Sequence, residues 1–444
     1  MEVDVEKETK SVKLKASVQA LGCRLNQYEG TSLEGKLREA GYEIVPFGEQ
    51  ADLGVINTCT VTNQADAKSR SAIRRFSRKN PTSITVVVGC YSQTSANEVA
   101  MVEGVDYIIG NHDKMNFLNY LTDVKPESPV IVRERIDRTD FSIGYVGEVE
   151  FAQRANLKIQ DGCDFMCSFC VIPFARGRAR SRDWHDLFAE AEQMINKGVR
   201  EIVLTGVNLG TYESGEKDFL KLIESLGRLD GLDRLRISSI EPTTIPRELF
   251  SMMKDSIHPL MPYLHVPIQS GCDKILSLMK RKYTLGEMEE FFAEAVSSIP
   301  GLCVGTDMLT GFPGESDEDF EKTCATFLSL PFSYCHVFTY SERVGTIANK
   351  STEHVPMNIR RQRSATLRRL SASKKMDWHQ SYRGREMRVL LENPKHGYYG
   401  GFTNNYLKLM IPDGGSNIAN KFAKVKIGEA MPEYCLGELL KIED

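Results

Sequence analysis

The sequence predicts an α/β protein in three parts: an N-terminal parallel-sheet α/β domain, a partial (β/α)6 barrel and a small C-terminal β-barrel. Three observations carry the prediction. Between residues 14 and 125, short β-branched runs alternate with amphipathic, helix-forming stretches. Between 150 and 350 the alternation occurs six more times. From 384 to 444 it gives way to short strand-like pieces punctuated by Gly and Asn. Strands alternating with helices mean βα units and a parallel sheet, whereas closely spaced short strands mean a small barrel.

In the first part, "SVQALGC", "LGVINTC" and "ITVVVGC" end in Cys23, Cys59 and Cys90, and polar stretches such as "TSLEGKLREAG" come after them. Residues just past the C-termini of parallel strands converge on one sheet edge, where ligands bind. The three cysteines are therefore expected to be neighbours, although 36 and 31 residues separate them. The second part offers the strands "ANLKIQ", "EIVLTG", "RLRISS", "YLHVPI", "CVGTDML" and "CHVFTY". Six units are too few for an eight-stranded barrel but fit an open one, with its chemistry at the strand C-termini. In the third part, "NIRRQRSATLRRLSASKKMDWHQSYRGR" reads as a basic linker. After it, "EMRVLLE", "NYLKLMI", "FAKVKIG" and "GELLKI" read as barrel strands.

Composition narrows the classes. A formal net charge of −4 means that any nucleic-acid surface must be local. Eleven cysteines, an odd number in a long chain, oppose a secreted disulfide scaffold and favour metal-binding or redox thiols in a reducing compartment. "MEVDVEKETKSVKLK" has no apolar h-region, and there is no apolar run of about 18 residues. A cytoplasmic enzyme with no membrane partner is expected, its first ~15 residues a disordered tail.

The stretch "CDFMCSFC" comes directly after the first barrel strand and holds Cys163, Cys167 and Cys170 as C-x3-C-x2-C. Thiolates ligate iron–sulfur clusters, and three of them leave one iron of a four-iron cluster open to a substrate or cofactor. A zinc site completed by a distant His or Cys is the alternative on spacing alone. The other five cysteines, Cys272, Cys303, Cys324, Cys335 and Cys435, show no ligand spacing and read as core or helix-face residues.

With Phe169 before its last cysteine, the motif resembles the radical S-adenosylmethionine superfamily, whose signature is C-x3-C-x-aromatic-C. The resemblance implies that the open iron binds the amino and carboxylate groups of S-adenosylmethionine, whose one-electron cleavage gives methionine and a 5′-deoxyadenosyl radical. It extends over nearly the whole chain to the methylthiotransferases, through "LGCRLNQYE", "NTCTVTNQADAKSRSAIRR", "VVGCYSQ", "GCDFMCSFCVIPFARGRARSR", "LTGVNLGTY", "HVPIQSGCD", "GTDMLTGFPGE" and "FTYSERVGT". That family has an N-terminal three-cysteine domain, a radical barrel and a C-terminal TRAM barrel. Membership implies that Cys23, Cys59 and Cys90 hold a second, auxiliary four-iron cluster carrying the sulfur to be delivered. It also implies an electron donor such as flavodoxin or ferredoxin, and a sulfur source.

By position in that superfamily, Gly206, Val207 and Asn208 of "LTGVN" approach the methionine amine. Ser239, Glu241, His265 and Gln269 line the ribose and carboxylate side, and the turn starting at Gly311 lies near the adenine. His265 reads equally as a satisfied polar residue of the barrel interior. Basic clusters border both cysteine sites: "KSRSAIRRFSRK", with Arg74 and Arg75, and "ARGRARSR", with Arg176 and Arg178. Such runs are often solvated helix faces, but their repetition beside both sites favours a polyanion. The TRAM-like barrel, with "YYGGFTNNY", adds an RNA-binding module by resemblance.

The expected reaction is methylthiolation of a tRNA adenosine beside the anticodon, at C2 of the base, using two S-adenosylmethionine molecules. Its partner is the tRNA anticodon stem-loop. "GCRLNQYE", "ADAKSR", "RISSIEP" and "QSGCD" look most like the N6-threonylcarbamoyladenosine branch; the isopentenyladenosine branch typically reads Gly-Cys-x-Met-Asn. Arg176, Arg178 and Arg343 are the expected partners of the threonylcarbamoyl carboxylate. The alternatives are isopentenyladenosine tRNA, a ribosomal-protein aspartate, or an iron–sulfur RNA-binding protein without catalysis, against which "TGVN" and "GFPGE" speak.

Overall fold

The computed structural model describes residues 13–122, 124–143 and 153–443. The stretch expected to be a disordered tail lies mostly outside them. The residues group into two compact units, the first built on the chain through Ile136 and the second mainly on the chain from Asp137 onward.

The first unit is one six-stranded, all-parallel sheet: β1 (Lys15–Ala20), β2 (Glu43–Ile44), β3 (Leu53–Thr58), β4 (Ile84–Gly89), β5 (Tyr107–Ile109) and β6 (Val130–Val132), in the order β2-β1-β3-β4-β5-β6. Successive residues point to opposite faces, so each strand feeds two cores. Val55, Val86, Tyr107 and Ile109 pack with Leu33 and Leu37 on one side. Ile56, Val87 and Ile108 pack with Ile73 and Phe76 on the other. Ala20 of β1 lies opposite Asn57 of β3, and Thr58 lies opposite Gly89 of β4. This register aligns the C-termini of the three strands that precede the cysteines.

The second unit begins with six parallel strands: β7 (Arg154–Lys158), β10 (Glu201–Thr205), β13 (Arg234–Ile237), β14 (Tyr263–His265), β15 (Cys303–Thr310) and β16 (Tyr334–Thr339). Two small antiparallel pairs sit among them, β8 (Gln160–Asp161) with β9 (Arg180–Ser181) and β11 (Glu213–Ser214) with β12 (Lys217–Asp218). The six strands form two three-stranded halves joined by a bridge between Leu235 and Leu260. This is the open partial barrel.

A closed barrel completes the chain: β17 (Glu386–Leu391), β18 (Tyr398–Thr403), β19 (Lys408–Pro412), β20 (Phe422–Ala430) and β21 (Cys435–Glu443). Four of these strands match the sequence reading. The strand Tyr398–Thr403 was missed because Gly400 and Gly401 interrupt its pattern.

The stretch read as a basic linker is instead a 25-residue helix, Met357–Ser381. Its buried residues are Arg360, Arg363, Ser364, Leu367, Ser371 and His379. A stripe with one large apolar residue gives no amphipathic signal, so helical periodicity could not reveal it. Hydrogen bonds hold it: Ser364 Oγ lies 2.6 Å from Thr310 Oγ1, and Ser371 Oγ accepts from the Cys335 backbone at 2.9 Å.

Polar residues line the N-terminal end of the open barrel. Glu201 meets Arg236 at 3.0 Å and Arg234 at 3.5 Å, all three buried. Both arginines also donate to the closed barrel, Arg234 to the Phe402 carbonyl at 2.8 Å and Arg236 to the Asn404 carbonyl at 3.0 Å. Burial alone would raise the Glu201 carboxyl, but Arg236, Arg234 and Arg154 outweigh it and hold it at about 2. A carboxyl held below its ordinary 4.5 contributes stability that is complete above pH 4.5 and lost as the pH falls toward 2. Thermal unfolding of the wild type should therefore lose roughly 3 kcal/mol from this group across that window. Glu201→Gln should be less stable at pH 7 and show a flatter acid slope; equal slopes would exclude the network as the cause.

Candidate functional site

The first cysteine triad lies on the loop between β8 and β9. Asp161 anchors the loop base. It accepts from Lys158 Nζ at 2.7 Å, from Arg176 Nη1 at 3.0 Å and from the Gly162 backbone at 2.9 Å. Gly162 turns the chain at φ +71°, where a Cβ would lie 2.0 Å from the Arg178 carbonyl oxygen, so only glycine fits. Ser168 ties the far side of the loop, its backbone N–H donating to the Met279 carbonyl at 3.0 Å and its hydroxyl to the Leu278 carbonyl at 2.7 Å. Phe169 packs against Cys272, Leu309, Phe312 and Tyr340, edge-on to Phe312 with ring centres 6.4 Å apart.

Burial pushes the Cys163 thiol up to about 11 and the Cys170 thiol up to about 12. Burial also raises Cys167, opposed by the Arg281 guanidinium, whose Nη1 donates to Cys167 Sγ at 3.3 Å. Arg281 is itself held by Glu241 and by the Pro267 carbonyl at 3.1 Å. Three half-buried thiols on one pinned loop, with a cation at one sulfur, fit a metal centre that takes thiolates.

Gly206, Val207 and Asn208 come after β10. Gln160 Oε1 accepts from both the Val207 and Asn208 backbone N–H groups at 2.9 Å. Asn208 is 1% exposed, and its Nδ2 has no hydrogen-bond partner among the described residues. A buried donor without a partner suits an acceptor group of a ligand. Ser239 is half-buried, two residues before Glu241. Gln269 sits at φ 65° and donates its backbone N–H to the Asp307 carbonyl at 2.9 Å. Gly311 donates its N–H to Glu315 Oε1 at 2.9 Å, and Arg363 of the long helix grips the same oxygen at 2.6 Å.

His265 faces the barrel interior. Its Nε2 lies 2.9 Å from Asp307 Oδ1 and its Nδ1 3.2 Å from the Tyr334 hydroxyl, which meets the Tyr263 hydroxyl at 2.7 Å. His336, opposite Asp307 in register, completes the wall: ligand atoms of His265, Asp307 and His336 all lie within 4.8 Å of one another. Sequence reading missed Gln160, Arg281, Asp307, Tyr334 and His336. Asp307 and His336 could have been found from strand alternation, since Thr310 and Thr339 point the other way, to Ser364 of the helix. Arg281 could not, because it lies outside the strands.

The second triad lies in the first unit. Cys59 directly succeeds β3 and Cys90 directly succeeds β4, both buried, while Cys23 caps the helix Arg24–Glu39 and is exposed. Gly22, at φ +87°, brings the β1 end against Cys59: a Cβ there would lie 2.7 Å from the Cys59 sulfur. The three cysteines thus each come just past the aligned C-termini of β1, β3 and β4, on one sheet edge, with Cys23 exposed.

The arginines divide. Arg74 and Arg75 are exposed on the helix Asn63–Lys79, with Arg75 over the Phe47 ring at 4.9 Å. Arg178 is half-exposed and paired with Asp164. Arg176 is 1% exposed and bound to Asp161, so it serves the loop's frame rather than the barrel mouth. Arg343 is also buried, at 7%. As carboxylate partners, Arg176 and Arg343 are thus corrected: each sits inside the fold, because a guanidinium can satisfy buried acceptors from several sides.

Residues 15–110 match the model of "Uncharacterized protein family UPF0004", and residues 157–327 match the Radical SAM superfamily. The chain is 37% identical to the threonylcarbamoyladenosine tRNA methylthiotransferase MtaB of Bacillus subtilis, over 95% of each chain. It is 37% identical to the MtaB of Aquifex aeolicus, over 85% of this chain and 93% of that one. It is 30% identical to the tRNA-2-methylthio-N(6)-dimethylallyladenosine synthase of Neorickettsia sennetsu, over 96% and 93%. Among solved structures, the radical S-adenosylmethionine methyltransferase TsrM of Kitasatospora setae shares the fold. The TM-score is 0.56 and the identity 17%, over 76% of this chain and 77% of that one.

Proposed function

The chain belongs to the MtaB-like methylthiotransferases of the radical S-adenosylmethionine superfamily, and on that premise we propose that it inserts a methylthio group at C2 of N6-threonylcarbamoyladenosine beside the anticodon of tRNA. The observation that carries the proposal is the pairing of two cysteine triads at strand ends with end-to-end similarity to proteins named for that reaction. Cys163, Cys167 and Cys170 would hold one four-iron cluster, and Cys23, Cys59 and Cys90 a second. When bound, the first cluster and S-adenosylmethionine supply the radical chemistry, and the second supplies the sulfur. The chain's own residues orient the reactants: Arg281 and Glu241 beside Cys167, the Asn208 donor toward an acceptor group of the ligand, and the His265–Asp307 pair facing the interior. Mass spectrometry of tRNA nucleosides from a strain lacking the chain tests the reading. The methylthio group should vanish from threonylcarbamoyladenosine alone.

The exposed basic helix Asn63–Lys79 is the proposed tRNA contact. Phosphate contacts release counterions, so affinity should fall with salt. Arg74→Ala with Arg75→Ala should weaken tRNA binding and reduce the salt slope by about one per lost contact, leaving uncoupled S-adenosylmethionine cleavage unchanged. Equal loss of binding and cleavage would mean that the helix only supports the fold. The long helix Met357–Ser381 contributes less than its charge suggests, since Arg360 and Arg363 are buried. No helix among the described residues is long and apolar enough to cross a membrane.

A further inference from the structure

We infer that Asn111 is a positioning residue for the auxiliary metal centre: held by the buried Lys114–Glu29 pair, it donates a hydrogen bond to the Cys90 sulfur and raises the reduction potential of the centre that sulfur ligates. The inference rests on the reading that Cys23, Cys59 and Cys90 hold a second cluster. Val88 of β4 lies opposite Ile109 of β5, so Cys90 and Asn111, each two residues further on, face each other across the sheet edge. The Asn111 backbone N–H donates at 2.8 Å to Oε1 of Gln93, a residue of the short helix that starts at Cys90. Its side-chain Nδ2 lies 3.5 Å from Cys90 Sγ, and its Oδ1 accepts from Lys114 Nζ at 2.8 Å.

The lysine decides which way the amide faces. An ammonium can only donate, so it must meet the amide oxygen, and the NH2 group is left pointing at the sulfur. The reverse orientation would set donor against donor and an oxygen against a thiolate. Lys114 is fixed in turn by Glu29 Oε2 at 2.5 Å, and the two residues are 2% and 0% exposed. A buried ion pair is a poor source of stability, because desolvating both ions offsets their attraction. Holding Asn111 in one orientation gives this pair a role that stability does not. Donors to the sulfurs of a cluster, and positive charge near it, favour the reduced and more negative state. The Asn111 amide acts in that direction, while the Lys114 ammonium, neutralised by Glu29, serves to hold the amide.

The test uses the full chain carrying Cys163→Ala, Cys167→Ala and Cys170→Ala, so that only the second triad can load. The protein is reconstituted anaerobically with iron and sulfide and titrated by one-electron reduction under electron paramagnetic resonance. Asn111→Leu, which keeps the volume and loses the donor, should retain iron and shift the midpoint to lower potential. Asn111→Asp, which Lys114 can still hold, should shift it further in the same direction. Unchanged or higher midpoints in both variants, with iron retained, overturn the inference. Failure of the parent triad to bind any iron overturns the second-cluster reading, and the inference with it.

Discussion

Cys167→Ala is expected to lower the iron content of anaerobically prepared protein from about eight to about four per chain and to abolish S-adenosylmethionine cleavage. The structure explains why one sulfur matters so much. Cys167 is the thiol that Arg281 touches, at 3.3 Å, and the loop around it is tied to Met279 and Leu278 on one side and to Asp161 on the other. An alanine leaves that frame intact and removes one of three ligands, which a centre with an already open iron cannot spare. Cys59→Ala should also remove about four irons, yet leave cleavage in place, because Cys59 sits in a different unit from the radical loop. Iron analysis together with quantitation of 5′-deoxyadenosine separates the two. Unchanged iron content in Cys59→Ala would contradict the second-cluster assignment.

The strand-terminal cysteines were legible in the sequence for a physical reason. Parallel β-branched runs place the residues just beyond their ends on a common edge, and the register of β1, β3 and β4 does so for Cys23, Cys59 and Cys90. The six barrel strands were legible as short apolar runs, most with β-branched residues, separated by helical stretches. Two kinds of feature were not. The helix Met357–Ser381 buries arginine and serine, so its inward stripe looks like a charged surface. Arg176 lies in a run of four arginines that reads as a basic patch, yet three-dimensional contact with Asp161 makes it a frame residue. In both cases a buried guanidinium finds acceptors that are distant in sequence, and local pattern carries no trace of them. Arg281 and Asn111, which donate to cysteine sulfurs, are invisible for the same reason.

The barrel wall is expected to set the choice of substrate. A threonylcarbamoyl group brings a carboxylate and a hydroxyl, whereas an isopentenyl group brings only hydrocarbon. Burying a carboxylate without partners is costly, and an apolar group gains nothing from a polar wall. With Arg176 and Arg343 buried in the frame, the interior wall is His265, His336, Tyr263, Tyr334 and Asp307. Tyr263, Tyr334, His265 and Asp307 hydrogen-bond one another, so the wall is polar and offers an apolar substituent little hydrocarbon. Sites that hydrogen-bond one substrate reject an analogue lacking the polar group by roughly a hundredfold or more. The direct measurement is the yield of methylthio product from two purified tRNAs, one carrying threonylcarbamoyladenosine and one carrying isopentenyladenosine, under a single set of reducing, anaerobic conditions. Product is expected from the first, and at least about a hundredfold less from the second. Comparable turnover on both, or a preference for the isopentenyl tRNA, would contradict this expectation.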